Sequence, residues 1–122
     1  MDIQEACVLR AKRCVPCEGG VPRYSLEEAQ SQIVNHADWQ LVQDGQRIRR
    51  EWIASNFMAA MQFFDAVAAL AEDENHHPDL HLEGYRNVSI EIWTHAIGGL
   101  SENDFILAAK IDEIEWAGSS KS

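Results

Sequence analysis

The stretch ENHHPDLHLEGY, residues 74–85, gathers His76, His77 and His81, three of the chain's five histidines, around one proline. With an ordinary pKa of about 6.5, one imidazole can donate a proton while another accepts one near neutrality. Imidazole is also the commonest metal ligand. Three readings of the cluster therefore stand side by side: metal ligands, proton-transfer groups, or a polar turn without chemistry. Metal sites favour ligands at i, i+2 on a strand or i, i+4 on a helix, and HHPDLH fits poorly. Adjacent residues of an extended segment also point in opposite directions, so His76 and His77 do not easily share one ion. His77, His95 and Glu72 remain a set that a fold could gather. Acid/base work asks for two or three titratable groups held at rigid element ends around a pocket. A helix C-terminus supplying His76 and His77 and a strand end supplying His95 meet that demand, and a helix C-terminus favours the protonated ring.

The elements that must hold these groups are legible from periodicity. Residues 1–24 read as leader and loop. SLEEAQSQIV offers Ser25 as an N-cap with Glu28 three positions on, a capping box that starts a helix ending near Asn35. Trp39 to Val42 and Arg47 to Ile53 alternate as strands joined by an Asp44-Gly45 hairpin signal. Asn56 caps a long helix from Phe57 to about Glu74, with Phe57, Met61, Phe64, Val67 and Ala71 at helical spacing. Pro78 ends it. Leu80 and Leu82 flank His81 in a short extended segment, and Gly84 helps turn the chain. Asn87 to Thr94 is the clearest strand, with Val88, Ile90 and Ile92 on one face and Ser89, Glu91 and Trp93 on the other. Continued alternation puts His95 on the face opposite the aliphatic residues. Ser101 caps a last helix running to about Trp116. The order helix, two strands, helix, two strands, helix predicts an α+β fold, a four-stranded antiparallel sheet with helices packed on one face. One domain over residues 25–116, followed by a tail at 117–122, accounts for the chain.

Composition narrows the function classes. With 122 residues and 46% apolar content, the chain has enough for one real core. A net charge of −10 argues against direct nucleic-acid binding. The basic cluster Arg47, Arg49 and Arg50 reads as the wet side of a strand. No apolar run approaches the roughly 20 residues of a membrane helix, and the first residues lack a secretory pattern. A soluble, cytoplasmic protein is the expectation. Cys7, Cys14 and Cys17 are an odd set in the leader, which speaks against a disulfide framework. CVPC has half the spacing of a zinc site without a second pair, and the leader reads as loose and dispensable for turnover.

Taken together, Glu72-x-x-x-His76-His77-Pro78, Tyr85, His95 and Asp104, at these gaps, resemble the signature of the pterin-4a-carbinolamine dehydratase family. The tail Thr94-His95 through Gly99-Leu100-Ser101-Glu102-Asn103-Asp104 is similar as well. The likeness runs from about Ser25 to Trp116. It implies dehydration of 4a-hydroxytetrahydropterin to quinonoid dihydropterin, without metal or organic cofactor. By that resemblance His76 and His95 act as acid/base groups, His77 mainly holds the substrate, and Glu72 orients or tunes a histidine. Asp104 matches a pocket residue and also stands where the capping-box partner of Ser101 would. Thr94 presents backbone groups to the pterin ring or simply ends a strand, and Tyr85 puts its ring in the core. Many animal members carry a Trp where Leu80 stands, and His81 is an additional histidine that leaves substrate contact open.

The resemblance also bears on partners. It implies a pterin substrate, an aromatic amino acid hydroxylase as the enzyme whose cofactor is recycled, and self-association into a dimer or tetramer. Animal members further serve as dimerisation cofactors of a homeodomain transcription factor, so a protein-binding role competes with catalysis. A metal-dependent lyase or hydrolase built on the four histidines is the other competing reading. The two-sided apolarity of the last helix, through Leu107, Ile111 and Ile114, independently predicts an exposed patch and hence a homo-oligomer. Because polar histidines at element ends carry little packing, removing any of His76, His77 or His95 is expected to leave stability unchanged.

Overall fold

Strict alternation in two segments builds the centre of the molecule, an antiparallel sheet covered by helices on one face. The computed structural model describes residues 3–14 and 22–120. Strands β1 (Gln40–Val42), β2 (Arg47–Ala54), β3 (Asp79–Glu83) and β4 (Asn87–Ile92) lie in the order β1-β2-β4-β3. The β2–β4 register sets Ile48 against Ile92 and Trp52 against Val88, so their apolar side chains share the covered face. Arg47, Arg49, Glu51, Ser89 and Glu91 share the open one. Arg50 falls on the covered face, contrary to the wet-side reading. There it packs over Trp52 and bonds Asp112, because strand alternation leaves it no other choice. A fifth strand, β5 (Gly118–Ser120), pairs with the end of β2 where the sequence suggested only a tail.

Three helices supply the cover: α2 (Leu26–Ile33), α3 (Phe57–Glu74) and α4 (Glu102–Ile111). The Ser25–Glu28 capping box forms as expected, with both reciprocal bonds made. α3 is rotated from the expected stripe. Ala60, Phe63, Val67 and Ala71 face inward, whereas Phe57 and Met61 stay 48% and 40% exposed. Ala59 and Ala60 are buried at the start of this face, a choice that periodicity alone cannot reveal in a helix apolar nearly all round. α4 stops at Ile111 rather than Trp116. The chain then folds back to stack Trp116 on Phe63, ring centroids 3.9 Å apart, and to deliver β5 to β2.

The leader is where the sequence reading departs most from the structure. Residues Ala6–Arg10 form a helix, α1, that packs on α4 and buries Leu9 completely. Gln4 exchanges hydrogen bonds with buried Gln32, and the Cys14 backbone N–H donates to Glu74. Burial opposes ionisation of Glu74, but its hydrogen bonds from Lys110 and Cys14 hold the carboxyl below the usual range. With α1 on one side and the sheet on the other, Leu107 and Ile111 are buried, at 0% and 1% exposure. The patch expected from α4 is thus filled by the chain's own leader. Cys7 is exposed and Cys14 half-buried, its backbone and sulfur both within reach of the helices around it. Cys17 and the Gly19-Gly20 pair lie outside the described residues.

A histidine outside the opening cluster is built into this core. His36 is 2% exposed, packs its ring against Phe105 and meets the Gln32 amide at 3.1 Å. Burial pushes its pKa down to about 4. The unfolded chain therefore binds this proton more readily than the folded one, and the contribution to stability falls as pH drops from about 6.5 towards 4. The full window is worth up to roughly 3 kcal/mol. Denaturant titrations of wild type and His36→Leu at pH 7 and 4.5 should show a markedly smaller loss in the variant. Equal losses would mean that His36 is not buried in its neutral form.

Candidate active site

Asn75 determines where the two adjacent histidines go. It closes α3 in the left-handed conformation, φ 52°, which a short polar side chain tolerates well. The His76 N–H returns to the Ala71 carbonyl, closing the helix end. The chain leaves in extended form towards Pro78, so the neighbouring rings part. His76 turns inward and is 5% exposed. His77 turns outward and pairs with Glu72 on the helix's last turn, both side chains exposed.

His76 meets a carboxylate in the interior. Its Nε2–H donates to Asp104 Oδ1 at 2.7 Å. Oδ2 of the same residue accepts from the Thr94 hydroxyl and from the Ser101 backbone N–H, each at 2.8 Å. The Thr94 hydroxyl has spent its one hydrogen, so the bond of 2.8 Å to Ser101 Oγ has serine as donor. Asp104, Thr94 and Ser101 are all fully buried. Of the two roles the sequence left open for Asp104, the capping of α4 is seen, and the same side chain also holds His76. Because an ionised carboxylate only accepts, the neutral His76 ring carries its proton on Nε2 and its basic lone pair on Nδ1. Thr94 acts through its hydroxyl. Its backbone N–H and C=O are engaged with Gly99 and Ile97.

His95 lies next to Thr94 but outside the strand. β4 ends at Ile92, and His95–Ile97 form a 3₁₀ turn. The ring is exposed on the same side as Trp93, stacked on its indole with centroids 4.1 Å apart. The fold therefore brings His76, Asp104 and Thr94 into direct contact, with His77, Glu72 and His95 on the flanking turns. His81 lies on the open face of β3 opposite Ser89, outside the Asp104 network. Among the described residues, no three His, Cys, Asp or Glu side chains converge as metal ligands would. Tyr85 is 59% exposed with φ 57° in the β3–β4 turn, not in the core, because the tight turn leaves its side chain no interior to enter. The sequence reading gave no weight to Trp93, Asp79 or Ser101 at this site. The i, i+2 spacing of Trp93 and His95 was the available signal for the first.

Residues 22–114 match the family model described as pterin 4 alpha carbinolamine dehydratase. The chain belongs to the pterin-4a-carbinolamine dehydratase family. It is 51% identical over 110 residues to the mitochondrial pterin-4-alpha-carbinolamine dehydratase 2 of Arabidopsis thaliana, covering 88% of this chain. It spans only 59% of that relative's length. A Methylococcus capsulatus protein provisionally given the same enzyme name is 44% identical, over 90% of this chain and 96% of the relative. A solved structure from Brucella melitensis, described as a transcriptional coactivator/pterin dehydratase, superposes with a TM-score of 0.68 at 27% identity. It covers 75% of this chain and 96% of its own. The Arabidopsis relative is mitochondrial by name, so the cytoplasmic expectation draws no support from it. Among the described residues of this family member, no helix is long and apolar enough to cross a membrane.

Burial separates the histidines energetically, against the expectation that all three are dispensable to stability. Removing His76 leaves a buried carboxylate short of one donor, a loss of about 1–3 kcal/mol. Removing exposed His77 should change stability by no more than about 0.5 kcal/mol. Urea denaturation of His76→Ala and His77→Ala should reproduce that order. Equal stability of the two variants would contradict the buried His76–Asp104 pair.

Proposed function

We propose that this protein dehydrates 4a-hydroxytetrahydropterin to quinonoid dihydropterin by histidine acid/base catalysis, as a hydro-lyase. The observation that carries the reading is the Asp104-centred network, which links His76 to Thr94, the residue next to His95. Family membership supplies the substrate class. The C4a–O bond breaks as an acid protonates the departing hydroxyl to water. A base removes the N5 proton, and the electrons of that N–H bond form the C4a–N5 double bond. Both proton transfers fall within the reach of imidazole near neutrality. We assign them to His76 and His95, with His77 holding the substrate and Glu72 steadying His77. Asp104 fixes the His76 tautomer, much as a buried carboxylate orients the imidazole in hydrolase triads. Thr94 and Ser101 support Asp104. His81, on the open sheet face, has no part in this scheme. No step calls on a metal or an organic cofactor, and an aromatic amino acid hydroxylase is the natural source of the substrate.

Spectroscopic detection of quinonoid dihydropterin from synthetic 4a-hydroxytetrahydropterin tests the activity directly. A positioned acid or base contributes about 10²–10⁴-fold, so His76→Ala and His95→Ala should each lower kcat, and the double variant far more. His77→Ala should raise KM more than it lowers kcat. A folded His95→Ala protein with wild-type turnover would refute the assignment.

A homo-oligomer, dimer or tetramer, fits the surface as well, though not through α4. Phe57, Met58 and Met61 on α3 and Leu80 on β3 are exposed apolar side chains, and β3 is an edge strand of the sheet among the described residues. A second copy is the occupant we favour, because a two-fold axis can pair a strand edge or a helix face with its own counterpart. Light scattering should give a multiple of the 13.8 kDa chain mass, and Met61→Glu should lower it. A monomer at micromolar concentration would rule this out and favour the protein-binding alternative for the α3 face.

A further inference from the structure

The proposed proton-transfer group His95 is exposed, and an exposed imidazole samples several rotamers unless something holds it. Trp93 is what it rests on. The two rings stack with centroids 4.1 Å apart and planes 30° apart. The indole is in turn fixed at two further points. Arg47 from β2 lies with its guanidinium carbon 4.4 Å from the indole centroid. Trp93 Nε1–H donates to Asp79 Oδ2 at 3.3 Å. Arg47 is itself held by Glu91 at 3.3 Å and by Asp79 at 4.0 Å.

The location of Asp79 gives this arrangement its significance. It follows Pro78 and so belongs to the segment that carries His76 and His77. The bond from Trp93 to Asp79 ties that segment to the turn that carries His95. Alternation completes the geometry. Ile92 points into the core, Trp93 out, Thr94 in to Asp104, and His95 out again onto Trp93. His95 is thereby anchored twice, through its backbone by buried Thr94 and through its ring by Trp93.

We propose that Trp93, clamped by Asp79 and Arg47, is a positioning residue that fixes the His95 imidazole relative to the His76–His77 segment. This rests on the reading of His95 as a proton-transfer group. It goes beyond that reading by assigning a role to residues that need not touch the substrate. Misplacing a reacting group by about 1 Å can cost on the order of 10²-fold, so losing the stack should matter.

Four single variants and one double variant test it: Trp93→Leu, Trp93→Phe, Asp79→Ala, His95→Ala, and Trp93→Leu with His95→Ala. In ligand-free protein, NMR should find the His95 ring protons shielded by the indole, and Trp93→Leu should abolish the shielding. Trp93→Leu should lower kcat roughly 10–100-fold with KM little changed, and Trp93→Phe, which can still stack, should restore most of it. Since Trp93 acts through His95, Trp93→Leu should cost nothing further in the His95→Ala background. Asp79→Ala, a surface change, should repeat the effect more weakly and serves if Trp93→Leu fails to fold. Wild-type kcat in the folded Trp93→Leu or Asp79→Ala protein, with His95→Ala impaired, would overturn the positioning role alone. An equal loss from Trp93→Leu with and without His95 would also overturn it. Wild-type turnover by His95→Ala would instead defeat the catalytic reading, and this proposal with it.

Discussion

The buried carboxylate of Asp104 joins the fold to the site. A carboxylate without solvent is tolerable only if its acceptor sites are filled, and three donors from three separate elements fill them. The Ser101 N–H begins α4, the Thr94 hydroxyl ends the β4 segment, and His76 follows α3. Each donor constrains where its element can terminate. The start of α4, the exit of β4 and the end of α3 must therefore meet at one point, and the same geometry sets the direction of the His76 ring. Removing the charge would relax the fold and the site together, since one group serves both.

From that point the two adjacent histidines acquire different physical characters. His76 is interior, with one nitrogen committed to Asp104. His77 is at the surface, beside Glu72, with solvent screening both partners. A left-handed Asn75 and a proline two residues beyond the first ring are enough to separate them. This division suits a reaction in which one group must hold a defined tautomer while another adapts to a ligand. It also explains why a single ion would find the pair a poor site, since the rings leave the backbone on opposite sides.

The core beneath the site is assembled from both ends of the described chain. α1 covers the outer side of α4, and Trp116 stacks on Phe63 from the C-terminal side. Helix α4 is consequently buried from Asn103 through Ala109, unusual for an outer helix of so small a protein. Its apolarity on two sides was correctly legible, and its reason was not. Two-sidedness in a sequence says that two surfaces are covered. It does not distinguish a second copy from a neighbouring segment of the same chain.

By itself, the sequence determined the periodic elements and the family. Alternation in residues 47–53 and 87–92, the Ser25–Glu28 box and Pro78 each act through neighbours in the chain, so they survive without tertiary information. The spacing of Glu72, His76, His77, His95 and Asp104 likewise carried the resemblance to the family. Tertiary structure decided everything that depends on contacts distant in sequence. It turned α3 so that Ala60, Phe63 and Val67 rather than Phe57 and Met61 face the core, because burial is rewarded only where an opposing surface is present. It drew the leader into the core through Leu9, and buried His76 against a residue 28 positions away. It ended the last helix early so that Trp116 could reach Phe63. In each case the deciding energy is packing or desolvation against a partner, and local pattern carries no record of which partner that is.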